Sequence, residues 1–401
     1  MKSVTVLMGC IGFAISASLH AAAVPVTAGG AALKATVPMV LEDHRPYVNF
    51  QLTGPDGRTV TAHFYVDTGG GAIVFTTALA QRLGLRPAGN PLHEEGGELV
   101  PARIPEFSLG HMKLMLTGVP AYIVMQAAGG LQGTDAEGAF PARALRHYQV
   151  ILDYPGRKFT VAAPGALKPA GTAVKTYIGE AGMPVVTASV DGKPHDFLLD
   201  SGGTYCMISA VALDAWWKRH PQWPQVKGAY GPANMLTGAG ETGFTMLRIG
   251  VLRWGPFRLT DVGAVSRPAG AYEQFMSRIA GKPVIGSLAG NVLQAFRVDI
   301  DYPHGQVYLA QAPAIQDAPL NMVGVTLELG KSSYVVAGTA PGVTAIHKGD
   351  RLLRVGTLDT QTATLAEIVR ALQGKVGTRK NLLIERGGRQ LEIQARVRPI
   401  L

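Results

Sequence analysis

The stretch FLLDSGGTY, residues 197–205, carries three apolar residues directly into Asp200 and follows it with a hydroxyl residue and two glycines. The apolar residues predict a buried strand. Gly202 and Gly203 can adopt backbone angles that residues with a Cβ avoid, so we expect a tight turn directly after Asp200. One such turn says little about function, because aspartate commonly bonds the backbone of its own turn.

The same pattern occurs earlier in the chain. The segment FYVDTGGGAIVFTTAL from Phe64 matches FLLDSGGTYCMISAVA, with Asp67 in the place of Asp200. Farther along, YQVILDYPGRKFTV from Tyr148 matches FRVDIDYPHGQVYL from Phe296, and each segment predicts two strands joined by an Asp-Tyr-Pro turn. Because the order of features is kept while the loops differ in length, the sequence indicates two copies of one structural unit.

Two proline-rich connectors, APGALKPAGT and AQAPAIQDAP, follow the two units and predict domain boundaries. We therefore expect a first unit over residues 24–167, a second over residues 168–314 and a smaller third domain over residues 320–401. Only 16% of the 401 residues are charged, while Gly (50) and Pro (26) are frequent, which favours short strands and many turns. The sequence predicts a mainly β fold.

Residues 1–23 have the pattern of a secretory signal peptide, with Lys2, an apolar stretch over residues 4–19 and three alanines before the expected cleavage site. The stretch is shorter than the roughly 20 residues of a spanning helix, and an uncleaved membrane anchor is the alternative. We expect export across the inner membrane to the periplasm and no transmembrane span once the signal is removed. Cys206 is then the only thiol, which excludes an intramolecular disulfide.

The net charge of +9 is dispersed, because no run of five Lys or Arg residues occurs. We therefore expect no nucleic-acid partner. Neither a metal nor a cofactor is predicted: position 97 is Gly97 where a zinc helix starting at His93 needs histidine, and position 325 is Val325 where a phosphate loop needs glycine.

The two acidic turns suggest a shared chemistry. Two copies of one unit tend to pack about a pseudo-twofold axis, which would bring Asp67 to face Asp200. Two carboxylates about 3 Å apart cannot both ionise cheaply, so the pair shares one proton. One carboxylate then takes a proton from a water molecule while the other donates to a carbonyl oxygen, which suits hydrolysis of a peptide bond without a metal.

The residues around both turns resemble those of the aspartic proteases, and among them the retropepsin-like peptidases of bacteria. The resemblance spans about residues 36–310 and is carried by FYVDTGG, FLLDSGG and KPVIGSL followed by FRVDIDYPHGQVYL. It implies two pseudo-twofold-related β-lobes with Asp67 and Asp200 as the catalytic pair. It also implies hydroxyls that brace the turns, glycines in the turns and a support loop behind them, and these residues are Thr68, Ser201, Gly69, Gly70, Gly202, Gly203, Val284, Ile285 and Gly286.

The chain departs from the family pattern in two places. The first unit has Glu137 and Gly138 where the second has Ile285 and Gly286, which puts the support of Asp67 in doubt. The residue after each Asp-Thr/Ser-Gly is a glycine instead of the alanine or serine of many relatives. Because glycine has no side chain to bond a carboxylate, we expect the pair to hold its proton more tightly and activity to extend toward neutral pH.

A glycine-flanked hairpin is expected to cover the cleft as a flap. The best candidate is NMLTGAGETGF, residues 234–244, with Thr237, Gly238, Ala239 and Gly240 at its tip, and HEEGGELVPAR lies at the corresponding place of the first unit. Inert surface loops are the alternative for both segments. The tryptophans of ALDAWWKRHPQW, Trp216 and Trp217, are interpreted as packing residues of an amphipathic helix.

Residues 320–401 predict strands around one helix from Leu365 to Leu372, with Gly374 as its stop. The segment resembles a PDZ domain, whose Gly-Asp turn is similar to Gly349-Asp350 and the residues around it. The resemblance implies a site for a C-terminal peptide at a sheet edge. A structural role is the alternative, since no glycine-rich carboxylate loop precedes SYVVAG.

These observations predict a secreted aspartic endopeptidase that binds an extended peptide or unfolded protein between two β-lobes. The main alternative is a catalytically silent peptide-binding protein that keeps the protease fold. A further alternative is a protease that acts only on its own chain or on one partner.

Overall fold

The computed structural model describes residues 33–94, 97–125, 131, 133–235, 239–311, 316–330 and 333–401. The predicted signal segment, residues 1–23, lies outside the described residues. Strands account for 47% of the structure and helices for 14%, which confirms the mainly β prediction.

The first unit is built of short strands with two short helices. Its elements in chain order are β1 Lys34–Pro38, β2 Val40–Glu42, β3 Arg45–Thr53, β4 Thr59–Asp67, β5 Ile73–Thr76, α1 Thr77–Arg82, β6 Leu92–Glu94, β7 Gly97–Pro101, β8 Glu106–Leu109, β9 Met112–Lys113, β10 Ala121–Val124, β11 Gly138–Pro141, α2 Ala142–Leu145, β12 Gln149–Asp153 and β13 Lys158–Ala162.

The second unit repeats this order, and its two longest strands have 10 and 11 residues. Its elements are β14 Thr172–Val174, β15 Thr176–Ile178, β16 Pro184–Val190, β17 Lys193–Leu199, β18 Cys206–Ser209, α3 Ala210–Arg219, β19 Gln225–Lys227, β20 Thr245–Trp254, β21 Phe257–Arg267, α4 Ser277–Ala280, β22 Gly286–Leu288, α5 Gly290–Leu293, β23 Phe296–Asp301 and β24 Gln306–Gln311. Short 3₁₀ helices cover Gly231–Ala233 and Ala239–Gly243, and a π-helical turn covers Ala271–Met276.

The remaining residues form the C-terminal body, residues 320–401. Its elements are β25 Asn321–Met322, β26 Val325–Leu329, β27 Tyr334–Thr339, β28 Arg351–Val355, β29 Leu358–Asp359, α6 Leu365–Leu372, β30 Arg379–Arg386, β31 Arg389–Arg396 and β32 Arg398–Pro399. The bounds of α6 are those predicted from the sequence. Thr364 caps the helix and forms a capping box with Glu367, which satisfies backbone N–H groups of its first turn.

Each unit has its own sheet, and a further sheet joins the two. The first unit's sheet has the strand order β6-β7-β10-β5-β11-β4-β3-β8-β9, with β2 on β3, and the second unit's has the order β15-β16-β17-β22-β18-β21-β20-β19. The two Asp-Tyr-Pro hairpins, β12–β13 and β23–β24, pair with each other in the joining sheet β1-β13-β12-β23-β24-β14. The predicted hairpins are therefore confirmed, and they connect the units.

The two units share one topology around their acidic turns. In the first unit β11 lies between β4, which it pairs in parallel, and β5, which it pairs antiparallel. In the second unit β22 has the same relation to β17 and β18. The helix that follows each turn is capped by a hydroxyl, Thr76 for α1 and Ser209 for α3.

The hydrophobic core does not stop at the boundary between the second unit and the C-terminal body. Met235 and Phe244 of the second unit belong to the same buried cluster as Leu327, Tyr334 and Leu365 of the C-terminal body. Burial of about 25 cal/mol per Å² of apolar surface stabilises such a contact. The C-terminal body is therefore packed on the second unit through a shared hydrophobic core.

Packing also accounts for the tryptophan pair of α3. Trp216 is 2% exposed, and its ring lies edge-on to His195, with centroids 5.5 Å apart. Trp217 is partly buried against the same core. Within the described residues, no helix has the length and apolar character needed to cross a membrane.

Candidate active site

Two hydroxyls lock the acidic turns together. Thr68 Oγ1 donates to the carbonyl oxygen of Leu199 at 2.6 Å and accepts from the backbone N–H of Ser201 at 2.9 Å. Ser201 Oγ donates to the carbonyl oxygen of Val66 at 2.7 Å and accepts from the N–H of Thr68 at 3.0 Å. Both side chains are fully buried. Each turn therefore fixes the other, and the pair of turns forms one rigid unit.

The carboxyl groups lie against the glycines of the opposite turns. A Cβ on Gly69 would lie 2.8 Å from Oδ1 of Asp200, and one on Gly202 would lie 2.4 Å from Oδ1 of Asp67. Real Cβ atoms do not approach so closely, so a larger residue at either position would displace the opposing carboxyl. The structure thus brings Asp67 and Asp200 to one place, each carboxyl reaching across to its partner's turn.

Backbone donors hold each carboxyl. Oδ1 of Asp67 accepts from the N–H of Gly69 at 2.9 Å, and Oδ1 of Asp200 accepts from the N–H of Gly203 at 3.0 Å. A Cβ on Gly70 would lie 2.7 Å from Oδ2 of Asp67. The glycine after the turn therefore leaves that oxygen free of a side-chain contact from position 70.

Burial and the neighbouring charge raise the pKa of Asp67 to about 7, with burial the larger cause and Asp200 the second. The backbone N–H groups of Gly69 and Gly70 and the charge of Arg45 oppose this rise. Asp67 is 6% exposed and Asp200 is 0% exposed. A buried pair of this kind retains one proton at a pH where isolated carboxyl groups are ionised.

The predicted support loop of the second unit crosses behind its acidic turn. Ile285 donates its N–H to the carbonyl oxygen of Asp196 at 3.1 Å and accepts from the N–H of Ser209 at 2.8 Å. The N–H of Asp200 itself donates to the carbonyl oxygen of Leu288 at 2.9 Å. Val284 precedes this crossing and is buried, and Gly286 opens β22.

The first unit keeps the same backbone pairing although its residues differ. Glu137 donates its N–H to the carbonyl oxygen of His63 at 2.7 Å and accepts from the N–H of Thr76 at 2.9 Å. The Glu137 side chain forms an ion pair with Arg82 and accepts from the N–H of His63 at 3.0 Å. Because the backbone pairing is kept and the Glu137 carboxylate is paired with Arg82 and with the N–H of His63, the charge at this position does not disturb the support of Asp67.

The candidate flap has a different structure from the predicted hairpin. Thr237 and Gly238 lie outside the described residues, and Ala239 and Gly240 belong to the 3₁₀ helix Ala239–Gly243. A hairpin is found in the first unit instead, where β6 and β7 pair antiparallel. A flap role for either segment stays a prediction.

Residues near the candidate flap are held by the C-terminal body. The side-chain amide of Asn234 accepts from the N–H of Leu327 at 2.6 Å and donates to its carbonyl oxygen at 3.1 Å. Thr326 Oγ1 donates to the carbonyl oxygen of Ala229 at 2.8 Å. Asn234 also bonds Glu241, which is 1% exposed. These contacts fasten the described ends of the segment, Asn234 and Glu241, to each other and to β26.

Helix α6 closes the space between the two units. The N–H of Leu365 donates to the carbonyl oxygen of Gly133 in the first unit at 2.6 Å. The space left between the units and α6 is a cavity of about 30 Å³, and its lining includes Arg45, Gly133, Thr204, Asn234 and Leu365. A peptide ligand needs several hundred Å³. A wide groove of about 1310 Å³ lies elsewhere, along residues 53–57, 84–88 and 103–106, and neither acidic turn lines it.

Sequence reasoning missed three residues next to the acidic pair. Arg45 at the start of β3 is 5% exposed and donates from Nε to the carbonyl oxygen of Gly202 at 2.7 Å. Tyr154 and Tyr302, the tyrosines of the two Asp-Tyr-Pro turns, are buried without a partner for the hydroxyl among the described residues. The repeated Asp-Tyr-Pro motif is the sequence feature that could have identified the two tyrosines as equivalent residues of the two units.

Tyr154 of the first unit lies near Asp200 of the second, and Tyr302 of the second lies near Asp67 of the first. Burial, and secondarily the charge of Asp200, raises the pKa of Tyr154, and burial with the charge of Asp67 raises that of Tyr302. Each tyrosine thus lies near the aspartate of the other unit and stays neutral. Within the described residues, no group of three or more His, Cys, Asp or Glu side chains is arranged to hold a metal ion.

The sequence matches no protein-family model, and no curated protein matches it.

Proposed function

We propose that the chain is an aspartic endopeptidase of the retropepsin-like kind, in which Asp67 and Asp200 share one proton. The observation that carries the proposal is the reciprocal bracing of Thr68 and Ser201, which sets each carboxyl against the glycine of the opposite turn. A duplicated scaffold without this chemistry would not need two obligatory glycines at the point where two carboxyl groups meet.

The proposed reaction needs only the pair and a water molecule. The ionised carboxylate takes a proton from water as the water oxygen attacks the peptide carbonyl carbon, and the protonated carboxyl donates its proton to the carbonyl oxygen. Collapse of the resulting diol breaks the C–N bond: one diol hydroxyl gives its proton to the ionised carboxylate, and the protonated carboxyl gives its proton to the leaving amine nitrogen. The pair ends with one proton, as it began.

The pH range follows from the state of the pair. Activity requires one proton on two carboxyl groups, so it is lost when the second proton leaves. The raised pKa of Asp67, about 7, supports a working range that extends toward neutral pH, in line with a periplasmic location. Gly70 and Gly203 add no side-chain donor that would favour the charged form.

Substrate entry requires the cover to move. Asp200 is fully buried, and the cavity of about 30 Å³ cannot hold an extended peptide. Because the C-terminal body shares a core with the second unit, its narrow contact with Gly133 of the first unit is the place where the cleft would open. The structure is in this proposal the closed state of the enzyme.

For the C-terminal body we propose a PDZ-like fold with an internal structural role. In PDZ domains a peptide adds to a sheet edge through backbone hydrogen bonds. Here β26 is an edge strand, and Asn234 of the second unit already occupies both backbone groups of Leu327. A C-terminal peptide at this edge would have to displace the chain's own residues.

The complete burial of Asp200 favours a second candidate, the catalytically silent peptide-binding protein. The experiment that separates the two is cleavage of a denatured protein over a pH series from 3 to 8, with wild type, Asp67→Asn and Asp200→Asn. Asp214→Asn, on the exposed face of α3, is the matched control.

The enzyme proposal expects fragments from wild type and Asp214→Asn, and a loss of at least about 10³-fold in rate for each Asn variant, because the pair acts as a unit. Equal silence of all four proteins across the series would select the binding protein. Equal activity of wild type and Asp200→Asn would refute the role of the pair.

A further inference from the structure

Arg45 is a buried cation beside the acidic pair with no equivalent in the other unit. Its Nε donates to the carbonyl oxygen of Gly202 at 2.7 Å, and its guanidinium carbon lies 4.8 Å from the centre of the Tyr65 ring. The side chain thus starts on a strand of the first unit and ends on the acidic turn of the second. Only 5% of the residue is exposed.

Strand register identifies the counterpart of Arg45 in the second unit. Tyr65 and Leu198 each stand two residues before the aspartate of their unit. On the neighbouring strand Tyr65 pairs with Tyr47, and Leu198 pairs with Val185. Two positions earlier along the chain stand Arg45 and Met183, and Met183 is fully buried. The pseudo-twofold pair is therefore asymmetric, with a cation on one side and a thioether on the other.

We propose that Arg45 is a positioning residue of the acidic pair: it fixes the second acidic turn through Gly202 and supplies the buried positive charge that faces the pair's single negative charge. The inference rests on the proposed function, since it assigns Arg45 a part in the same chemistry. A buried cation is costly unless a counter-charge lies near it, and Asp67 is among the groups whose charge acts on Arg45.

The contact with Gly202 matters because of what that glycine touches. The backbone of Gly202 packs directly on the carboxyl of Asp67, where a Cβ would lie 2.4 Å from Oδ1. A shift of this backbone would therefore move the surface on which the carboxyl rests. Arg45 holds the carbonyl of the same residue and so limits the shift.

Several other titratable groups face this region. Around Arg45 they are Glu42 and Asp43 on the preceding turn, Tyr47 on its own strand, and Tyr65 and Asp67 on β4. Around the acidic pair they are Tyr302 near Asp67, and Tyr154 and Cys206 near Asp200. Arg370 of α6 acts on Glu42 and Asp43, whereas Arg45 is the cation whose charge acts on Asp67, so the removal of Arg45 changes the field on the pair directly.

The test compares Arg45→Met, which copies the second unit, with Arg45→Lys, which keeps the charge but not the planar donor. An opposite charge at close range lowers a carboxyl pKa by about 1–3 units. We therefore expect both limbs of the kcat/KM profile to move to higher pH by about one to two units in Arg45→Met, and to return most of the way in Arg45→Lys.

Arg267→Met is the matched control, because Arg267 is also fully buried and lies over an aromatic ring, that of Phe244, at 4.7 Å. This variant is expected to leave both limbs in place. If Arg45→Met lowers the rate equally at every pH with unmoved limbs, or if Arg267→Met shifts them as far, the charge role of Arg45 is refuted.

A second measurement does not need turnover. The stability loss of Arg45→Met, from urea unfolding at pH 8, is expected to be smaller when Asp67→Asn is already present, because the counter-charge is then missing. Additive losses would overturn the inference. If the losses couple while the wild type cleaves no substrate at any pH, the position of Arg45 stands and the proposed enzyme function fails.

Discussion

Proline at position 365 would remove the hydrogen bond between Leu365 and Gly133 and would also place its Cδ against the Gly133 carbonyl oxygen, so both effects weaken this contact. Leu365 is the first residue of α6, a position where proline is well tolerated because its N–H is not used within the helix. The preceding residue, Thr364, has φ −70° and ψ 159°, which suits a residue before proline. Leu365→Pro therefore deletes the donor to Gly133, and Leu365→Ala removes the side chain while keeping the donor.

The expected effect follows from one hydrogen bond. Such a bond contributes about 1 kcal/mol net, which corresponds to about a fivefold change in the equilibrium between closed and open cleft. If only the open form cleaves, Leu365→Pro should cut a denatured substrate about fivefold faster than Leu365→Ala. Hydrogen exchange at the acidic turns should increase by the same factor.

The comparison between these two variants decides the outcome. Both lose the leucine side chain, so their free energies of unfolding in urea should differ by little more than the about 1 kcal/mol of the lost hydrogen bond. Equal cleavage rates and equal exchange at the turns, with both proteins folded, would show that the contact with Gly133 does not control access to the pair.

The bracing hydroxyls and the raised pKa give two further predictions. Thr68→Val leaves the Leu199 carbonyl and the Ser201 N–H without their partner and should lower the free energy of unfolding in urea by about 2–4 kcal/mol. The control Thr36→Val loses a single contact near the surface and should lower it by less than about 1 kcal/mol. Equal losses in the two variants would contradict the bracing. The folded-state pKa of Asp67 is raised to about 7 from 3.8, so the wild type loses stability as pH rises through that range. Between pH 4 and pH 8 the stability of Asp67→Asn should therefore increase by up to about 4 kcal/mol relative to that of the wild type. A difference in stability that does not change with pH would refute this.

The local features of the fold were predictable from the sequence because they depend on neighbouring residues. The acidic turns follow from apolar strands that run into Asp-Thr/Ser-Gly-Gly, and the hairpins follow from alternating residues on both sides of turn residues. Helix α6 has the predicted bounds since its apolar spacing, its cap and its stop agree. Because the acidic turn occurs twice, the sequence also predicted that the two turns would face each other.

The cover of the cleft was not predictable from the same signals. Asn234 looks like a loop residue, and its function as a partner of Leu327 depends on a contact between residues far apart in the chain. The candidate flap was placed by its glycines alone, and glycine-rich sequence is compatible with a hairpin and with the 3₁₀ helix that the structure has.

Side-chain identity gave a wrong expectation for the support of Asp67 and gave no signal for the burial of Arg45. Glu137 differs from Ile285, yet both make the same pair of backbone hydrogen bonds to the strands beside them, so the difference in side chain leaves the pairing intact. Arg45 stands at the start of a strand, where a charged residue is usually exposed. Its buried guanidinium bonds Gly202 of the other unit, a contact between residues far apart in the chain that no local pattern encodes.

The shared proton is tested most directly by ¹³C NMR of aspartate carboxyl carbons in labelled wild type, Asp67→Asn and Asp200→Asn. Burial raises the pKa of Asp43 to about 7 as well, so the assignment uses the variants. The account predicts two separated titration steps for the pair, with an upper step near neutral pH that is absent in Asp67→Asn and moves to lower pH in Asp200→Asn, where burial alone still raises the pKa of Asp67. Independent titration of Asp67 and Asp200 near the ordinary value of about 4, with each unaffected by loss of the other, would contradict it.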